Sequence, residues 1–552
     1  MAIILKAPPS SRSPLSSLVI ILFICLPYFA SSASSGYNDS HHGGNFLRCL
    51  YRQKQTGGPS ISKLVYAPYN STYSSVLDLS IQNLRFLTPE TPKPLFIVTP
   101  VAVSQAQAAV RCSRKSGLQL RIRSGGHDFE GLSYQPVSGN RPFVILDMLN
   151  LRRITVDVES ATAWVESGAT AGELYYRIAE KSNTLGFPNA AFLTVGVGGL
   201  FSGGGYGMMM RKYGLAADNI IDAQIIDSDG KLHDRKSMGE DLFWAIRGGG
   251  GNTFGVVVSW RIRLVPVPET VTVFTVLRTL EQNNTGLIHK WQYIAADHLP
   301  DELYMRVLMG SYNEAGGNRT LMSWFQALYL GRADDLLRTA ATSFPELGLA
   351  REDCTEMSWV NSSLYFVRMA GQPLETLLNR SSNQKNYFKY KSDYVKEPIP
   401  GSTLEEMWRW MLRADQGELL LIFHPYGGRM SEISESAIPF PHRAGNLYKI
   451  EYITAWNNRS AEVEARRIGL MRRFYRFMAP YVSKSPRLAY ANYRDLDLGT
   501  NKKSGNTSYH RASVWGRKYF NRNFDRLVKV KTAADPGNFF RNEQSIPPLT
   551  SW

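Results

Sequence analysis

The chain has 552 residues, of which 43% are hydrophobic and 12% aromatic, with 45 glycines and 28 prolines. These fractions exclude an intrinsically disordered or collagen-like chain and allow a large buried core, in two or more domains or in one large α/β architecture. There are 63 Lys and Arg against 47 Asp and Glu, so the formal net charge is +16, which by itself is compatible with binding to nucleic acid or to an anionic surface.

The N-terminus has the pattern of a secretory signal peptide, which we assign to residues 1–33. Lys6 and Arg12 precede an apolar run at 15–26, and a stretch of small residues follows at 30–35. The apolar run is shorter than a comfortable membrane span, although an uncleaved signal anchor is the alternative. We therefore expect a protein of the secretory pathway, extracellular (apoplastic) or vacuolar, with no membrane segment after the signal is removed.

Cysteines and glycan acceptors agree with export. Three cysteines remain beyond the signal, and an odd number in an oxidising compartment implies one disulfide and one free thiol. We predict a disulfide between Cys49 and Cys112 and an inert thiol at Cys354. Asn-x-Ser/Thr sequences, which accept glycans in secreted chains, occur at Asn38, Asn70, Asn283, Asn318, Asn361, Asn379, Asn458 and Asn506.

Between about 95 and 268 the chain alternates short apolar strands with amphipathic helices. The pattern predicts helices over 103–116 and 171–182, strands over 118–123, 143–146, 220–226 and 256–264, and hairpins over 154–167 and around Asp229-Gly230. Beyond this block the pattern loosens, and it predicts helices over 320–329, 403–414 and 461–478. Domain boundaries are expected near Pro268 and Pro480.

Three glycine clusters, at 123–127, 196–207 and 247–252, follow predicted strands or helices. Glycine lets the backbone approach a ligand closely and present consecutive N–H groups, as a pyrophosphate requires. Tight turns are the alternative for any one cluster. None fits the dinucleotide-binding or P-loop pattern, so we infer an anionic ligand held outside a Rossmann fold. His127 directly follows the first glycine pair, where an imidazole could act as a nucleophile or tether, although a lone histidine is more often a surface or core residue.

Six segments carry a family resemblance: 123–128, 196–207, 425–428, 439–446, 490–499 and 544–548. They occur in the expected order over nearly all of the chain after the signal. Together they resemble the plant berberine bridge enzyme-like flavoproteins, and especially the branch of the cannabinoid oxidocyclases. The resemblance implies an α+β protein with a vanillyl-alcohol-oxidase/PCMH-type FAD-binding domain and a separate substrate domain. The FAD domain would comprise 34–267 completed by 480–552, and the substrate domain 268–479.

Carried over residue by residue, the resemblance makes His127 the covalent attachment of FAD. The family's second attachment point, a cysteine, corresponds to Phe192, so the link is monocovalent at most. Leu200 replaces a family histidine near the flavin, and Val195 stands where the family gates oxygen and is of the oxygen-reactive type. The other cofactor-binding residues that the resemblance implies are Arg123, Ser124, Gly125, Gly126, Asp128, Thr194, Gly198, Gly199, Ser202, Gly203, Gly204, Gly205, Gly207 and Asn492.

Glu451 matches the family's catalytic glutamate. Lys449, Glu451 and Ile453 would share one face of a strand, so we expect Glu451 to face a cleft in which restricted water raises its pKa toward that of a base. An exposed face with a Lys/Glu pair is the alternative from the strand alone. Tyr493 matches a residue that is tyrosine in the cannabinoid enzymes and histidine in the alkaloid-forming one, and either Tyr493 or Glu451 would be the base.

Tyr426, the third expected catalytic residue, and Phe129 would line an aromatic pocket suited to a flat phenolic, terpenoid or alkaloid substrate. The leading hypothesis is a secreted, monomeric FAD oxidase that passes hydride to flavin N5 and electrons to O2, giving H2O2, with or without cyclisation of the product. The alternative is a non-redox cyclase or intermolecular Diels–Alderase in which FAD is structural, an idea favoured by the altered flavin surroundings. A binder of nucleic acid or cell wall has only the charge in its favour. No metal and no nucleic-acid partner are expected.

Overall fold

The computed structural model describes residues 35–53, 59–136, 141–313, 317–381, 385–415, 418–502 and 507–549. The predicted signal peptide at 1–33 and the glycan acceptor Asn506 lie outside these ranges. Within them, the helices are all too short or too polar to cross a bilayer.

The first half of the chain forms two sheets and the helices that cover them. Its strands are β1 (Val65–Tyr66), β2 (Phe96–Val98), β3 (Gln119–Arg123), β4 (Phe143–Asp147), β5 (Ile154–Asp157), β6 (Thr162–Glu166), β7 (Leu185–Gly186), β8 (Ile220–Ile226), β9 (Leu232–His233), β10 (Val256–Arg263) and β11 (Val265–Pro266). Its helices are α1 (Ser35–Arg52), α2 (Tyr73–Leu79), α3 (Val103–Lys115), α4 (Ala171–Ala179), α5 (Val197–Ser202), α6 (Met210–Tyr213) and α7 (Arg235–Ile246). The elements predicted in this half are confirmed, except that α4 ends three residues early at Ala179.

The two sheets differ in direction. One has the order β1-β2-β4-β3, with β2, β4 and β3 parallel and β1 antiparallel. The other has the order β5-β6-β10-β8-β9 and is antiparallel throughout. The apolar runs of β4 and β10 are almost wholly buried, as expected of strands covered on both faces.

The second half contains one seven-stranded antiparallel sheet. Its strands are β12 (Val271–Thr279), β13 (Leu303–Asn313), β14 (Arg319–Tyr329), β15 (Cys354–Met357), β16 (Tyr387–Val395), β17 (Leu420–Pro425) and β18 (Tyr448–Trp456). The helices that follow α7 are α8 (Asn284–Ile294), α9 (Ala333–Ser343), α10 (Trp359–Phe366), α11 (Gly401–Arg413), α12 (Arg429–Glu432), α13 (Ala461–Phe477), α14 (Tyr509–Phe520) and α15 (Asn523–Ala534). The strand order is β15-β12-β14-β13-β17-β18-β16. The predicted helices over 403–414 and 461–478 are confirmed as α11 and α13.

This sheet has two different faces. Along β14, Leu321, Phe325 and Ala327 are fully buried in a core shared with α8 and α11. Trp324 and Gln326 alternate with them and point to the other face, because successive side chains of a strand point to opposite sides. The helix predicted over 320–329 is therefore wrong. Trp324 on the cavity-facing side is apolar too, so the segment lacks a clear apolar–polar alternation, and its apolar residues do not distinguish a strand from a buried helix.

A buried cluster of charges joins the sheet to the C-terminal segment and to the N-terminal half. Lys389 and Lys391 of β16 both form salt bridges with Asp495, at 2.7 and 2.6 Å, and Lys389 also pairs with Glu130. Each of these four residues is less than a tenth exposed. Since an unpaired buried charge is costly, removing one partner would weaken the contact between the three segments.

The disulfide between Cys49 and Cys112 is confirmed and links α1 to α3 across 63 positions of sequence. Cys354 at the start of β15 is free and buried. Burial raises the pKa of its thiol, and a thiol with little thiolate reacts slowly.

Candidate active site

A cavity of about 1080 Å³ lies between the glycine-rich loops of the first half and the open face of the seven-stranded sheet. Its volume is at the upper limit of the roughly 300–1,000 Å³ typical of a pocket for a single small ligand. The two walls differ in chemistry. One consists of backbone and small polar residues, and the other of aromatic and ionisable side chains.

Two glycine loops pack directly against each other along the first wall. A Cβ on Gly125 would lie 2.3 Å from the backbone nitrogen of Gly196, and a Cβ on Gly126 would lie 2.1 Å from the carbonyl oxygen of Ser80. Gly126 also has a φ of +67°, in the left-handed region that side chains disfavour. Gly125 is therefore required for the two loops to approach each other, and Gly126 for the first loop to approach the end of α2. The Ser124 hydroxyl fixes the first loop by donating to the carbonyl oxygen of Ser167 at 2.6 Å.

This wall fits FAD. At Gly199 a Cβ would meet no atom within 4 Å, so the backbone there faces the open cavity. Runs of small residues with accessible amides suit a pyrophosphate. Of the predicted cofactor residues, those that line the cavity are Ser124, Gly125, Gly126, His127, Asp128, Thr194, Val195, Gly198, Gly199, Ser202, Gly203, Gly207 and Asn492.

Three predicted cofactor residues lie behind the wall instead. Arg123 is completely buried and forms a salt bridge with Asp147 at 2.7 Å. Its other donors bond to backbone carbonyl oxygens of α2, so it supports the loop without reaching the cavity. Gly204 and Gly205 pack against side chains, including Phe440 and Ala216. These residues hold the loops in place but do not line the space that a ligand would occupy.

His127 lines the cavity, and its Nε2 lies 2.7 Å from the Thr194 hydroxyl. Burial lowers its pKa to about 3, so the imidazole is neutral at physiological pH and one ring nitrogen keeps a free lone pair. A neutral imidazole is the nucleophilic form of histidine. Phe192 and Leu200, which replace the polar residues of the family pattern, also line the cavity.

Four side chains meet where the two walls join. Oε2 of Glu451 on β18 accepts hydrogen bonds from His424 Nε2 and from the Tyr493 hydroxyl, each at 3.0 Å. The Tyr206 hydroxyl, from the loop after α5, lies 3.4 Å from the same oxygen and is also hydrogen-bonded to the Tyr493 hydroxyl. We call these four residues the carboxylate cluster.

The expectation of a raised pKa for Glu451 is wrong. Burial alone would raise the pKa of this carboxyl, but the hydrogen bond from His424, together with Lys449 and the hydrogen bond from Tyr493, lowers it below the ordinary 4.5. Burial lowers the pKa of His424 to about 3. The neutral histidine therefore donates from Nε2 to Glu451 and accepts at Nδ1 from the Tyr304 hydroxyl at 2.9 Å.

Lys449 lies beneath the cluster and has no hydrogen-bond partner among the described residues. Its Nζ is 3.5 Å from the centre of the Tyr206 ring and 4.2 Å from that of Tyr493. Burial lowers the pKa of Lys449 well below its ordinary value, while the charge of Glu451 opposes this. Negative charge that forms on either tyrosine would favour the protonated amine, since an ammonium over an aromatic face is attracted to the ring, and more strongly when the ring carries negative charge.

An aromatic wall adjoins the carboxylate cluster. Phe129 lies 4.3 Å from Tyr390 and 5.3 Å from Tyr493, measured between ring centres. The expected position of Phe129 is thus confirmed. Tyr426 is different: it is buried behind the site, it is not among the lining residues, and its hydroxyl donates to Tyr394 at 3.3 Å. Since β17 ends at Pro425, Tyr426 lies beyond the strand, where the alternation that turns His424 toward the cavity no longer applies.

Sequence reasoning assigned no role to Tyr206 or His424. Tyr206 stands inside the long glycine run, and a bulky aromatic residue between glycines could have indicated a side chain of the site. His424 pairs with Lys449 across β17 and β18, and Ile422 pairs with Glu451. Recognising that the two strands are neighbours would have placed His424 beside Glu451, but that pairing is set by tertiary structure.

Two family models match parts of the chain that form this site. A model of the FAD binding domain matches residues 94–235, which include the first two glycine clusters. A model described as berberine and berberine like matches residues 489–547, which include Tyr493.

Related proteins match the chain almost from end to end. A tetrahydroberberine oxidase of Berberis wilsoniae is 50% identical over 535 residues, covering 96% of this chain and 98% of that protein. A monolignol oxidoreductase of Arabidopsis thaliana is 49% identical over 534 residues, covering 96% of this chain and 97% of that protein. The structure of berberine bridge enzyme from Eschscholzia californica superposes with a TM-score of 0.83 at 39% identity, over 92% of this chain and 100% of that one. These likenesses confirm the predicted fold class.

Proposed function

The chain belongs to the berberine bridge enzyme-like family of FAD-linked oxidoreductases, and on that basis we propose that it oxidises the alcohol group of an aromatic plant metabolite to an aldehyde or ketone. The carboxylate cluster carries this proposal. Its hydroxyl groups and ionised Glu451 can receive the proton of a substrate hydroxyl. Oxidation next to an amine nitrogen, as the name tetrahydroberberine oxidase suggests for one relative, needs no O–H proton acceptor. The name of the other relative, monolignol oxidoreductase, refers to phenolic alcohols.

The cluster suggests a route for the proton. A substrate hydroxyl at the Tyr206 and Tyr493 oxygens would pass its proton to the tyrosine pair, and Tyr493 would pass its own to Glu451 over 3.0 Å. His424 holds the carboxylate in position. Lys449 lies against both tyrosine rings and stabilises the negative charge that forms as a hydroxyl proton leaves.

The glycine loops would hold FAD, which when bound would supply the acceptor for the hydride from the alcohol carbon and a path for the two electrons to O2, giving H2O2. The residues of this chain exclude water and orient the substrate. Phe129 and Tyr390 offer flat faces on which an aromatic ring can stack. We further propose that FAD is bound covalently through His127 alone, since neutral His127 lines the cavity and Phe192 has no nucleophilic group.

The test is to mix the flavin-loaded protein with a monolignol, such as coniferyl alcohol, without oxygen. Bleaching of the flavin absorbance, followed on aeration by equal amounts of O2 consumed and aldehyde formed, is expected. A product formed without O2 uptake and without loss of two hydrogens would instead indicate the pericyclic or cyclase activity, and an oxidised spectrum with every aromatic alcohol would refute the oxidase.

Covalent attachment is tested separately. After denaturation and precipitation, the wild-type protein should retain its yellow colour, and the His127→Ala variant should release it. Release of the flavin from the denatured wild-type protein would refute the covalent attachment but would not contradict the oxidase proposal.

We also propose that the protein is exported and monomeric. The signal pattern and the Cys49–Cys112 disulfide support export. N-terminal sequencing of the protein from plant tissue should find a start near residue 34, and light scattering should give the mass of one chain. An N-terminus at Met1 or a doubled mass would contradict these proposals.

A further inference from the structure

Arg306 is a buried cation in the substrate half of the cavity. It lies on β13, on the sheet face that carries the carboxylate cluster, and only 7% of it is exposed. Within the described parts of the chain, no Asp or Glu forms a salt bridge with it; its polar partner is the neutral side chain of Gln326. A buried charge without a counter-charge is costly.

The guanidinium is held in a fixed orientation. Arg306 and Gln326 are cross-strand partners on β13 and β14, and both Nε and Nη2 donate to the Gln326 amide oxygen. Gln326 in turn donates to the Thr275 hydroxyl at 3.4 Å, and that hydroxyl is bonded to Tyr365 at 2.7 Å. The bonds to Gln326 use Nε and one N–H of Nη2, so the other end of the guanidinium, formed by Nη1 and the second N–H of Nη2, has no partner among the described residues. Nη1 has no hydrogen bond within the described chain and is exposed to the cavity.

The rest of the lining does not neutralise this charge. Two carboxylates line the cavity among the described residues, Asp128 and Glu451. Glu451 is bonded to His424 and Tyr493, and Asp128 accepts backbone N–H groups of its own loop. A second cation, Arg368, lies exposed at the mouth of the cavity. The substrate half is therefore electropositive away from the carboxylate cluster.

We propose that Arg306 binds a carboxylate group of the substrate, so that the preferred substrate is an aromatic acid that carries an alcohol at its other end. The planar end of a guanidinium matches the two oxygens of a carboxylate, and charge-assisted bonds of this kind are short and strong. The inference rests on the proposed alcohol oxidation, which fixes the position of the reacting group.

The sheet sets the length of such a substrate. β13 and β18 are separated by one strand, β17. Glu451 is level with Ile422 and Leu308 and so is offset from Arg306 by two residues along the strands. With about 4.8 Å between neighbouring strands and about 3.4 Å per residue, the Cα atoms of Arg306 and Glu451 are roughly 12 Å apart across the sheet. One aromatic ring with a short side chain, together with the length of the arginine side chain, spans this distance, and the ring would lie beside the apolar lining residues Leu308 and Ile422.

The probe is a matched pair, 4-(hydroxymethyl)cinnamate and its methyl ester, which differ in charge but hardly in shape. For binding without turnover, the pair 4-methylcinnamate and its methyl ester is titrated into the flavin-loaded protein by calorimetry. The wild type should bind each acid about 10- to 100-fold more tightly than its ester, the range expected for hydrogen bonds to a charged group. In Arg306→Gln this preference should disappear while ester binding stays the same, and Arg306→Lys should keep part of it.

Arg319→Gln is the matched control, since Arg319 lies on the same sheet outside the cavity lining; it should keep the preference for the acid. Equal binding of acid and ester by the wild type overturns the inference even if Arg306→Gln does not fold, and so does an unchanged acid preference in a folded Arg306→Gln. If the acid binds through Arg306 but 4-(hydroxymethyl)cinnamate never bleaches the flavin, the oxidase proposal fails and the binding site stands. If the wild type binds and oxidises the ester as well as it does the acid, the carboxylate site at Arg306 is refuted and the oxidase proposal stands.

Discussion

Replacing Glu451 by glutamine removes the charge of the carboxylate cluster at almost constant shape. In the structure Oε2 accepts hydrogen bonds from His424 and Tyr493, and an amide oxygen can accept the same two. The fold and the substrate pocket should therefore survive, whereas an amide cannot take up the substrate proton. We expect the rate of flavin reduction to fall about 10²- to 10⁴-fold, the range for loss of a positioned base. This corresponds to about 3–5 kcal/mol in the activation free energy.

The assay is rapid mixing of flavin-loaded protein with substrate in the absence of oxygen, which isolates the reduction step from reaction with O2. Substrate affinity, read from the concentration dependence of the rate, should change little. Glu462→Gln makes the same chemical change on the exposed face of α13 and should reduce at the wild-type rate. It controls for the general effect of losing one negative charge.

The pH dependence gives a second test of the same variant. The pKa of Glu451 lies below 4.5 in the folded protein, so its carboxylate is ionised above that pH and becomes protonated only below it. The wild-type reduction rate should stay level from neutral pH down to about 4.5 and fall below, as the base is lost, and Glu451→Gln should lack this fall. A variant that reduces within about threefold of the wild type, against the expectation for a base, would refute the assignment, as would a wild-type midpoint well above 4.5.

Three further outcomes are expected. Lys449→Met, which keeps the bulk but removes the amine beside the tyrosine rings, should slow flavin reduction about 30-fold, since a desolvated cation–π contact is worth about 2 kcal/mol and about 1.4 kcal/mol is tenfold in rate; an unchanged reduction rate would contradict its role. Gly125→Ala, whose Cβ would lie 2.3 Å from a backbone nitrogen of the facing loop, should lose flavin content and lower the melting temperature, whereas Gly401→Ala, with no atom within 4 Å, should do neither. Cys49→Ala with Cys112→Ala should lower the free energy of unfolding by about 4 kcal/mol, the entropy of closing a loop of this length, measured by urea denaturation; a loss under about 1 kcal/mol would contradict that estimate of the loop entropy.

The net charge of +16 does not identify a partner. Arg466 and Arg472 of α13 pair with Asp415 and Asp497 at the surface, at 2.7 and 2.6 Å. Such exposed pairs contribute little to stability. The basic residue that bears most directly on the substrate is instead the buried Arg306, which composition cannot distinguish from any other arginine.

Contiguous patterns made much of this protein predictable. The loop around Gly125 and Gly126, the neighbouring His127 and the helix α3 each depend on residues close together in sequence, because backbone freedom and helical periodicity are local properties. The cofactor wall and the family could therefore be inferred from the order of the amino acids alone. The error at β14 has the same origin, since apolar residues on both faces of the strand leave no clear apolar–polar alternation in the local sequence.

Only the tertiary structure decided how the site is charged. Tyr206 and Glu451 are 245 positions apart, and His424 and Glu451 are 27 apart on different strands; no local pattern brings them together. Their convergence reverses the expected pKa shift of Glu451, because hydrogen bonds and nearby charge outweigh burial. In the same sheet, Arg306 forms no salt bridge with a carboxylate of the described residues. Tyr426, which follows the end of β17, lies away from the cavity. Local sequence determined which cofactor the chain can hold, and strand pairing determined what the bound substrate would meet.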